Sequence, residues 1–273
     1  MNTIFFYISL VFYSLATIFY LSYLIVFKKI YIKIGFYLLL TGFLCHSLAL
    51  GFRIAEAGYF PVTNLHESLS FFPWAIIFVY ILYNLKNPIP ILGIFVTPLA
   101  FSSMFIASLF PNIIKPLPPI LKSIWLPIHV VFAFLGNAVF ALAFCGGILY
   151  LIQERALKNK RVKGIYKIFP SLESLDAINY RCLTIGFPLL TIGIITGSIW
   201  ASYAWGSYWQ WDPKETWSLI TWFIYAILLH ERLTVGWRGK RAAIMAIFGF
   251  LVIIFTFLGV NLVLYGLHSY NSW

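Results

Sequence analysis

The chain has 273 residues, of which 62% are hydrophobic and only 10% are charged. A soluble protein has about 25% charged residues, so these numbers exclude a soluble fold, a disordered chain and a small disulfide-rich scaffold. The net charge of +11 does not indicate nucleic-acid binding, because the basic residues form short clusters between apolar segments. The cysteines form no CxxC pair, which argues against a thiol oxidoreductase or a zinc module.

Eight apolar segments are long enough to cross a bilayer as helices. The predicted spans are 3–27, 34–52, 69–85, 89–110, 124–152, 182–202, 217–233 and 242–266. The first has no basic N-terminal region and no cleavage site, so we expect a retained helix and not a signal peptide. The GIITG segment at 193–197 has the spacing of a close helix contact. We predict an all-α membrane bundle that forms one domain over residues 1–273.

Lysine and arginine are distributed unequally between alternate loops. One set of loops holds 15 of these residues and the opposite set holds 4. The positive-inside rule places the basic set in the cytoplasm. Both termini and the segments 53–68, 111–123 and 203–216 are then expected on the outer face. The loop 154–181 becomes the largest cytoplasmic piece, and we expect its RALKNKRVKGIYK stretch to be solvated and close to anionic lipid.

The most unusual segment is the outer loop 203–216 with the helix that follows it. Five of the ten tryptophans lie between positions 205 and 222. Tryptophan often anchors helices at the membrane interface, but an anchor needs neither this close spacing nor an Asp-Pro pair. Asp212 and Pro213 suit the cap and the first position of a helix. We predict a flat aromatic platform for a large planar apolar ligand, formed by Trp205, Gly206, Trp209, Trp211, Asp212, Pro213, Trp217 and Trp222.

Two histidines are expected on the same face as this platform. His129 begins the fifth span, and His268 follows the eighth. A lone histidine in a helix is more often hydrogen-bonded structure than a ligand, but ionisable residues at membrane depth favour a functional role. A planar apolar ligand with a metal at its centre would be heme, and two neutral imidazoles satisfy a six-coordinate heme iron. We therefore predict an external heme site with His129 and His268 as its axial ligands.

The remaining histidines are expected to have other roles. His230 lies near the cytoplasmic end of the seventh span, about 20 Å below the outer loop, and His46 lies roughly 14 Å above His230. These depths make the pair unsuitable for one iron, so we expect a structural or supporting role for His46. His66 is expected to be a solvated turn residue. Arg53 and Lys214 either pair with heme propionates or are ordinary surface charges.

The segment WGSYWQWDPKETWSLITWFIYAILLH closely resembles the WWD motif of the heme-handling proteins of cytochrome c maturation. The DPKETW continuation and the flanking histidines are similar to the CcsA (ResC) family in particular. FLCHSLALGFRIAEAGYFPVTNLHES resembles the second span and first outer loop of that family. The likeness extends over nearly the whole chain. His66 departs from it, because the family commonly has tyrosine at that position.

The resemblance implies a subunit of the system II heme exporter and cytochrome c synthase, with heme b as the bound substrate. Its partners would be a CcsB (ResB) membrane protein and an apocytochrome c with a CxxCH motif. In the family, two histidines that correspond to His129 and His268 hold the external heme. A histidine that corresponds to His230 holds a transmembrane heme, whose second ligand comes from the partner.

The resemblance also implies a location. The WWD loop, at about residues 203–217, would face the periplasm from the bacterial cytoplasmic membrane, or the lumen from the thylakoid membrane of a plastid. Two alternatives stay open at this point. One is a heme delivery protein without synthase activity, similar to CcmC. The other is a solute carrier in which the tryptophans are only interface anchors.

Overall fold

The computed structural model describes residues 1–117, 122–160 and 164–260. Within these ranges the regular structure is helical, and no strand is present. The helices are α1 (Asn2–Val26), α2 (Lys29–Ala57), α3 (Leu65–Lys86), α4 (Gly93–Ser108), α5 (Trp125–Lys158), α6 (Leu172–Trp205), α7 (Pro213–Thr234) and α8 (Lys240–Ile254). A π-helical turn, Phe255–Gly259, extends α8. The predicted all-α bundle is confirmed, while the end of the eighth predicted span and His268 lie outside the described residues.

Most of these helices are suited to a membrane. Seven helical segments of the described ranges are long and apolar enough to cross a bilayer. α7 is not in this set, because charged residues at both of its ends shorten its apolar stretch. The chain is therefore an integral membrane protein. The orientation of its termini stays a prediction.

Several helices extend beyond the apolar segments that predicted them. α6 begins at Leu172, well before the predicted residue 182, because the Ser171 side chain caps it by accepting from the Ser174 N–H at 3.2 Å. α5 likewise continues to Lys158. The prediction of a loop over all of 154–181 was therefore wrong at both ends. Apolarity marks the bilayer, whereas a capped helix continues into water.

The contacts divide the chain into two compact units. Unit 1 comprises Met1–Pro116 and Arg155–Pro170, and unit 2 comprises the described residues of Leu117–Glu154 and Ser171–Trp273. The assignment of the whole chain to one domain stays a prediction.

Unit 1 is built around buried tyrosines. Tyr13 and Tyr20 of α1 and Tyr80 of α3 are fully buried. The Tyr20 and Tyr80 hydroxyls lie 3.1 Å apart and hydrogen-bond to each other. Burying a hydroxyl is costly unless it is paired, so this bond also fixes how α1 and α3 pack.

Unit 2 depends on a close approach of α5 and α6. A Cβ atom placed on Gly193 of α6 would lie 3.0 Å from the Ala133 nitrogen of α5, which is too short for an ordinary contact. The close contact predicted from GIITG is therefore present. Farther along α5, the Phe140 ring stacks on Tyr225 of α7 with centroids 3.5 Å apart. These contacts hold α5 against the two helices that carry the tryptophan-rich motif.

Candidate functional site

In the structure the WWD loop, between α6 and α7, comprises residues 206–212, which is shorter than the predicted range of about 203–217. Gly206 ends α6 in the left-handed conformation, with φ 75°, and donates its N–H to the Ser202 carbonyl. Glycine adopts this conformation without the cost that a Cβ atom imposes. Asp212 is the cap of α7, and Pro213 occupies the first turn, as predicted from the sequence.

A glutamate that the sequence analysis missed holds the loop closed. Glu215 is buried, and its Oε2 atom accepts from the Gln210 N–H at 2.8 Å and from the Asp212 N–H at 3.2 Å. Asp212 in turn accepts from the Lys214 N–H at 3.2 Å. The spacing of Asp212 and Glu215 is that of a capping box, which is a local sequence signal for this arrangement.

The loop presents tryptophan rings to its surroundings. Trp211 is 68% exposed, and its φ of 57° is left-handed, a conformation that costs energy in a residue other than glycine. The Trp209 ring meets it at 87°, with centroids 5.9 Å apart. The two rings are thus perpendicular and not coplanar, which is a preferred aromatic geometry. The prediction of a flat surface was wrong here, since the two tryptophan rings of the loop do not share a plane.

The two helical tryptophans of the motif pack against neighbouring helices. The Trp217 ring contacts Phe255 of the π-helical turn, with centroids 4.5 Å apart. The Trp222 Nε1 donates to the Thr191 hydroxyl of α6 at 2.9 Å, and its ring lies 5.2 Å from Phe187. They therefore tie α7 to α8 and α6, while Trp209 and Trp211 belong to the loop itself.

His129 makes a short hydrogen bond to the neighbouring helix α6. It lies in the second turn of α5 and is half-buried. Its Nδ1 lies 2.7 Å from the Gly193 carbonyl oxygen. A carbonyl can only accept, so Nδ1 carries a proton, and in the neutral imidazole the lone pair is then on Nε2. Metal-ligating histidines usually make this second bond, which fixes the ring and raises its basicity.

Trp200 connects this histidine to the loop, and the sequence analysis did not single it out. Its ring is 5% exposed and lies parallel to His129, at 9° and a centroid distance of 6.3 Å. The Trp200 ring also meets Trp205, with centroids 4.8 Å apart. Trp200 follows Gly193 by seven residues, so both lie on one face of α6. That spacing is the signal that points to Trp200.

The other predicted ligand within the described residues is His230. It is exposed on α7, near the end of this helix that is predicted to be cytoplasmic. Two residues later, Arg232 forms an ion pair with Asp176 of α6 at 2.6 Å. Within the described residues there is no cluster of three His, Cys, Asp or Glu side chains that could hold a metal ion.

The two predicted propionate contacts lie in different surroundings. Arg53 of unit 1 is buried and donates to Glu67 Oε1 from Nε at 3.0 Å and from Nη2 at 2.8 Å, and to Asn112 from Nη1. Arg53 is therefore not a surface charge, and its guanidinium is engaged within unit 1. Lys214 of unit 2 lies beside Asp212. Partial burial lowers the pKa of Lys214 to about 8, against the opposing effect of the Asp212 carboxylate.

The two remaining histidines belong to unit 1. His46 is fully buried, with Nδ1 3.2 Å from the Tyr13 hydroxyl and Nε2 3.0 Å from the Ser70 hydroxyl. His66 is also buried, and its Nδ1 donates to the Ala107 carbonyl at 2.8 Å. The interpretation of His66 as a solvated turn residue was wrong. α3 begins at Leu65, which turns this side chain inward.

Comparison with known proteins identifies the family. A family model described as cytochrome c assembly protein matches residues 62–268, which include the WWD loop and His129. The chain belongs to the cytochrome c assembly protein family. At the N-terminal side, the match leaves out α1, α2 and the beginning of the loop that follows them.

Named relatives narrow the family further. The chain is 40% identical over 271 residues to the cytochrome c biogenesis protein CcsA of Guillardia theta. The alignment covers 90% of this chain and 89% of that protein. It is 40% identical over 276 residues to the CcsA protein of Microcystis aeruginosa, covering 84% of each. The expected membership of the CcsA family is confirmed.

A solved structure shares the fold. The cytochrome c heme lyase CcmF superposes with a TM-score of 0.64 at 19% sequence identity. The superposition covers 94% of this chain but only 46% of the CcmF chain. At this identity the likeness concerns the fold alone.

Proposed function

We propose that this protein is the heme-handling subunit of a cytochrome c synthase, and that it binds heme b as a substrate beside the WWD loop. The observation that carries the proposal is the bond from His129 Nδ1 to the Gly193 carbonyl, 2.7 Å long. This bond leaves Nε2 in the form that coordinates iron. Membership of the cytochrome c assembly family supports the same role.

Residues in and near the loop have different parts in holding the substrate. His129 supplies one axial ligand, and the family resemblance suggests His268, outside the described residues, as the other. Trp209 and Trp211, whose rings are perpendicular, supply aromatic contacts to the porphyrin. The Lys214 ammonium is suited to a propionate. Two strong axial ligands would shield reduced iron from oxygen until the acceptor arrives.

The bond-forming groups belong to the substrates. The two thiols of the apocytochrome CxxCH motif add to the heme vinyl groups, and the CxxCH histidine replaces one axial ligand. The chain itself contributes position and axial ligation. We therefore assign it no nucleophile and propose that it acts as part of a synthase complex with a CcsB (ResB) partner.

Heme would reach the outer site from the cytoplasmic side. His230 is exposed on α7, a setting that suits a ligand shared with a partner chain. The distribution of basic residues favours an outer, periplasmic or lumenal, WWD loop. Ser207→Cys in a cysteine-free background should react with a membrane-impermeant thiol reagent in intact cells. Labelling at position 160 in place of 207 would contradict this orientation.

Co-expression with an apocytochrome c tests the function. We expect covalent heme on the apocytochrome only when the CcsB (ResB) partner is present, and a low-spin heme spectrum from the purified complex. Bound heme without attachment under any condition would instead support a heme delivery protein. A purified complex without heme would contradict the proposal in both forms.

A further inference from the structure

We propose that Gly197 and Trp200 of α6 are positioning residues that set the orientation and donor strength of His129. This inference rests on the proposed function, because it concerns His129 as an iron ligand. Both residues lie outside the tryptophan-rich motif.

Gly197 provides the space for the imidazole. A Cβ atom built on Gly197 would lie 2.6 Å from His129 Nδ1 and 2.7 Å from its Cε1. Real Cβ atoms do not approach other atoms this closely, so any other residue at position 197 would push the ring aside. Gly197 is in the middle of α6, where glycine costs about 1 kcal/mol relative to alanine. The backbone conformation does not require glycine at position 197, whereas the closely packed imidazole does.

The acceptor of the histidine bond is fixed by the same helix. Gly193 lies one turn before Gly197, and its carbonyl receives the His129 Nδ1–H. A ring displaced by a methyl group at position 197 could not keep this 2.7 Å bond. Without this bond the imidazole would be less basic, and either ring nitrogen could carry the proton.

Trp200 forms the wall behind the ring. It is parallel to His129, it is buried, and it meets Trp205 at the end of α6. The spacing of four and three residues places Gly193, Gly197 and Trp200 on one face of α6. This face supplies the hydrogen-bond acceptor at Gly193, the space at Gly197 and the parallel ring of Trp200. The segment GIITGSIW thus holds the imidazole and connects it to the WWD loop.

The test uses the complex purified with its partner and loaded with heme. Gly197→Ala should raise the heme midpoint potential and lower the low-spin fraction, because a weaker donor stabilises ferric iron less. Added imidazole should restore the low-spin spectrum. Trp200→Phe should shift the potential in the same direction by less. The matched control is Gly51→Ala on α2, whose added Cβ meets nothing within 4 Å and should change neither quantity.

The outcomes separate this inference from the proposed function. A wild-type spectrum and potential in Gly197→Ala, with a spectrum altered in His129→Ala, would overturn the positioning role alone. A wild-type spectrum in His129→Ala would overturn the external site itself. Thermal unfolding of each variant shows whether it folds. If Gly197→Ala does not fold, Trp200→Phe decides, and an unchanged potential there would overturn the inference.

Discussion

His46 in unit 1 and His129 in unit 2 both lie on apolar helices, yet their surroundings differ. The two ring nitrogens of His46 meet hydroxyls, of Tyr13 and Ser70, in a fully buried site. A hydroxyl can donate or accept, so this arrangement is satisfied in either tautomer. His129 meets a carbonyl, which allows one tautomer only. His66 also donates to a carbonyl, that of Ala107, but its ring is buried, whereas His129 is half-buried. A fixed tautomer together with an accessible ring distinguishes the candidate ligand from the two structural histidines.

The same contrast holds for the charged and aromatic groups around them. In unit 1, Glu67 accepts from Arg53 through one carboxylate oxygen and from the Thr63 N–H and hydroxyl through the other. That network is satisfied within the unit. In unit 2 the WWD loop leaves Trp211 largely exposed. The buried charges of this unit 1 network are thus paired with one another, whereas the loop of unit 2 leaves a large aromatic side chain accessible.

Breaking the unit 1 network should have the largest effect. Arg53→Met leaves the Glu67 carboxylate, with 1% of its side chain exposed, without its ion-pair partner. Removing one member of a buried pair costs about 3–5 kcal/mol. Unfolding of the purified protein in detergent measures this loss, with exposed Lys28→Met as the unaffected control. A loss below about 1 kcal/mol would place the pair among ordinary surface ion pairs.

Exchanging the two histidines for alanine tests the comparison directly. His46→Ala leaves two buried hydroxyls unpaired, at a cost of about 1–3 kcal/mol each, but the folded fraction should keep a normal heme spectrum. His129→Ala should fold nearly normally and lose the low-spin spectrum. It should keep some heme, because apolar area buried against indoles still contributes about 25 cal/mol per Å².

Added imidazole should restore the low-spin spectrum of His129→Ala and leave that of His46→Ala unchanged. Absorption spectra of the two variants, recorded at equal folded protein, give the comparison. A low-spin loss in well-folded His46→Ala would make His46 a ligand and remove the distinction drawn between the two sites.

Trp211 allows a smaller and more selective test. Its left-handed backbone suits glycine, so Trp211→Gly should keep or raise stability by about 1 kcal/mol. Little buried area is lost, since the side chain is 68% exposed. Heme affinity should nevertheless fall. Trp222→Ala, which loses its bond to Thr191, should instead lower stability. Unchanged heme binding in Trp211→Gly would make this tryptophan an interface anchor.

The sequence predicted what local signals specify. The eight helices and the start of α7 at Asp212 and Pro213 follow from apolar length and capping, which depend on neighbouring residues only. The burial of His66 and the pairing of Arg53 with Glu67 were not predictable, because both depend on which helices pack together. The packing of His129 against α6 was not predictable for the same reason, although the GIITG spacing at Gly193 indicated a close helix contact there.

Lys214 gives the smallest expected effect, and it tests the loop without truncating a side chain. It precedes the predicted span that begins at residue 217, and partial burial lowers its pKa to about 8, with Asp212 opposing. Only the protonated form pairs with a propionate, so heme affinity should fall as the pH rises from about 7 to about 9. Lys214→Arg should show a flatter profile, because guanidinium stays charged.

The folding contribution of Lys214 has the opposite sign. Since its pKa is lower in the folded protein, the unfolded chain binds this proton more tightly, and stability from this group rises above pH 8. Unfolding linked to Lys214 therefore cannot explain a loss of heme affinity over that range. Heme titrations of wild type and Lys214→Arg at matched pH provide the measurement. Equal slopes in the two proteins would remove this lysine from the heme site and leave the tryptophans and His129 as the only loop-side contacts proposed.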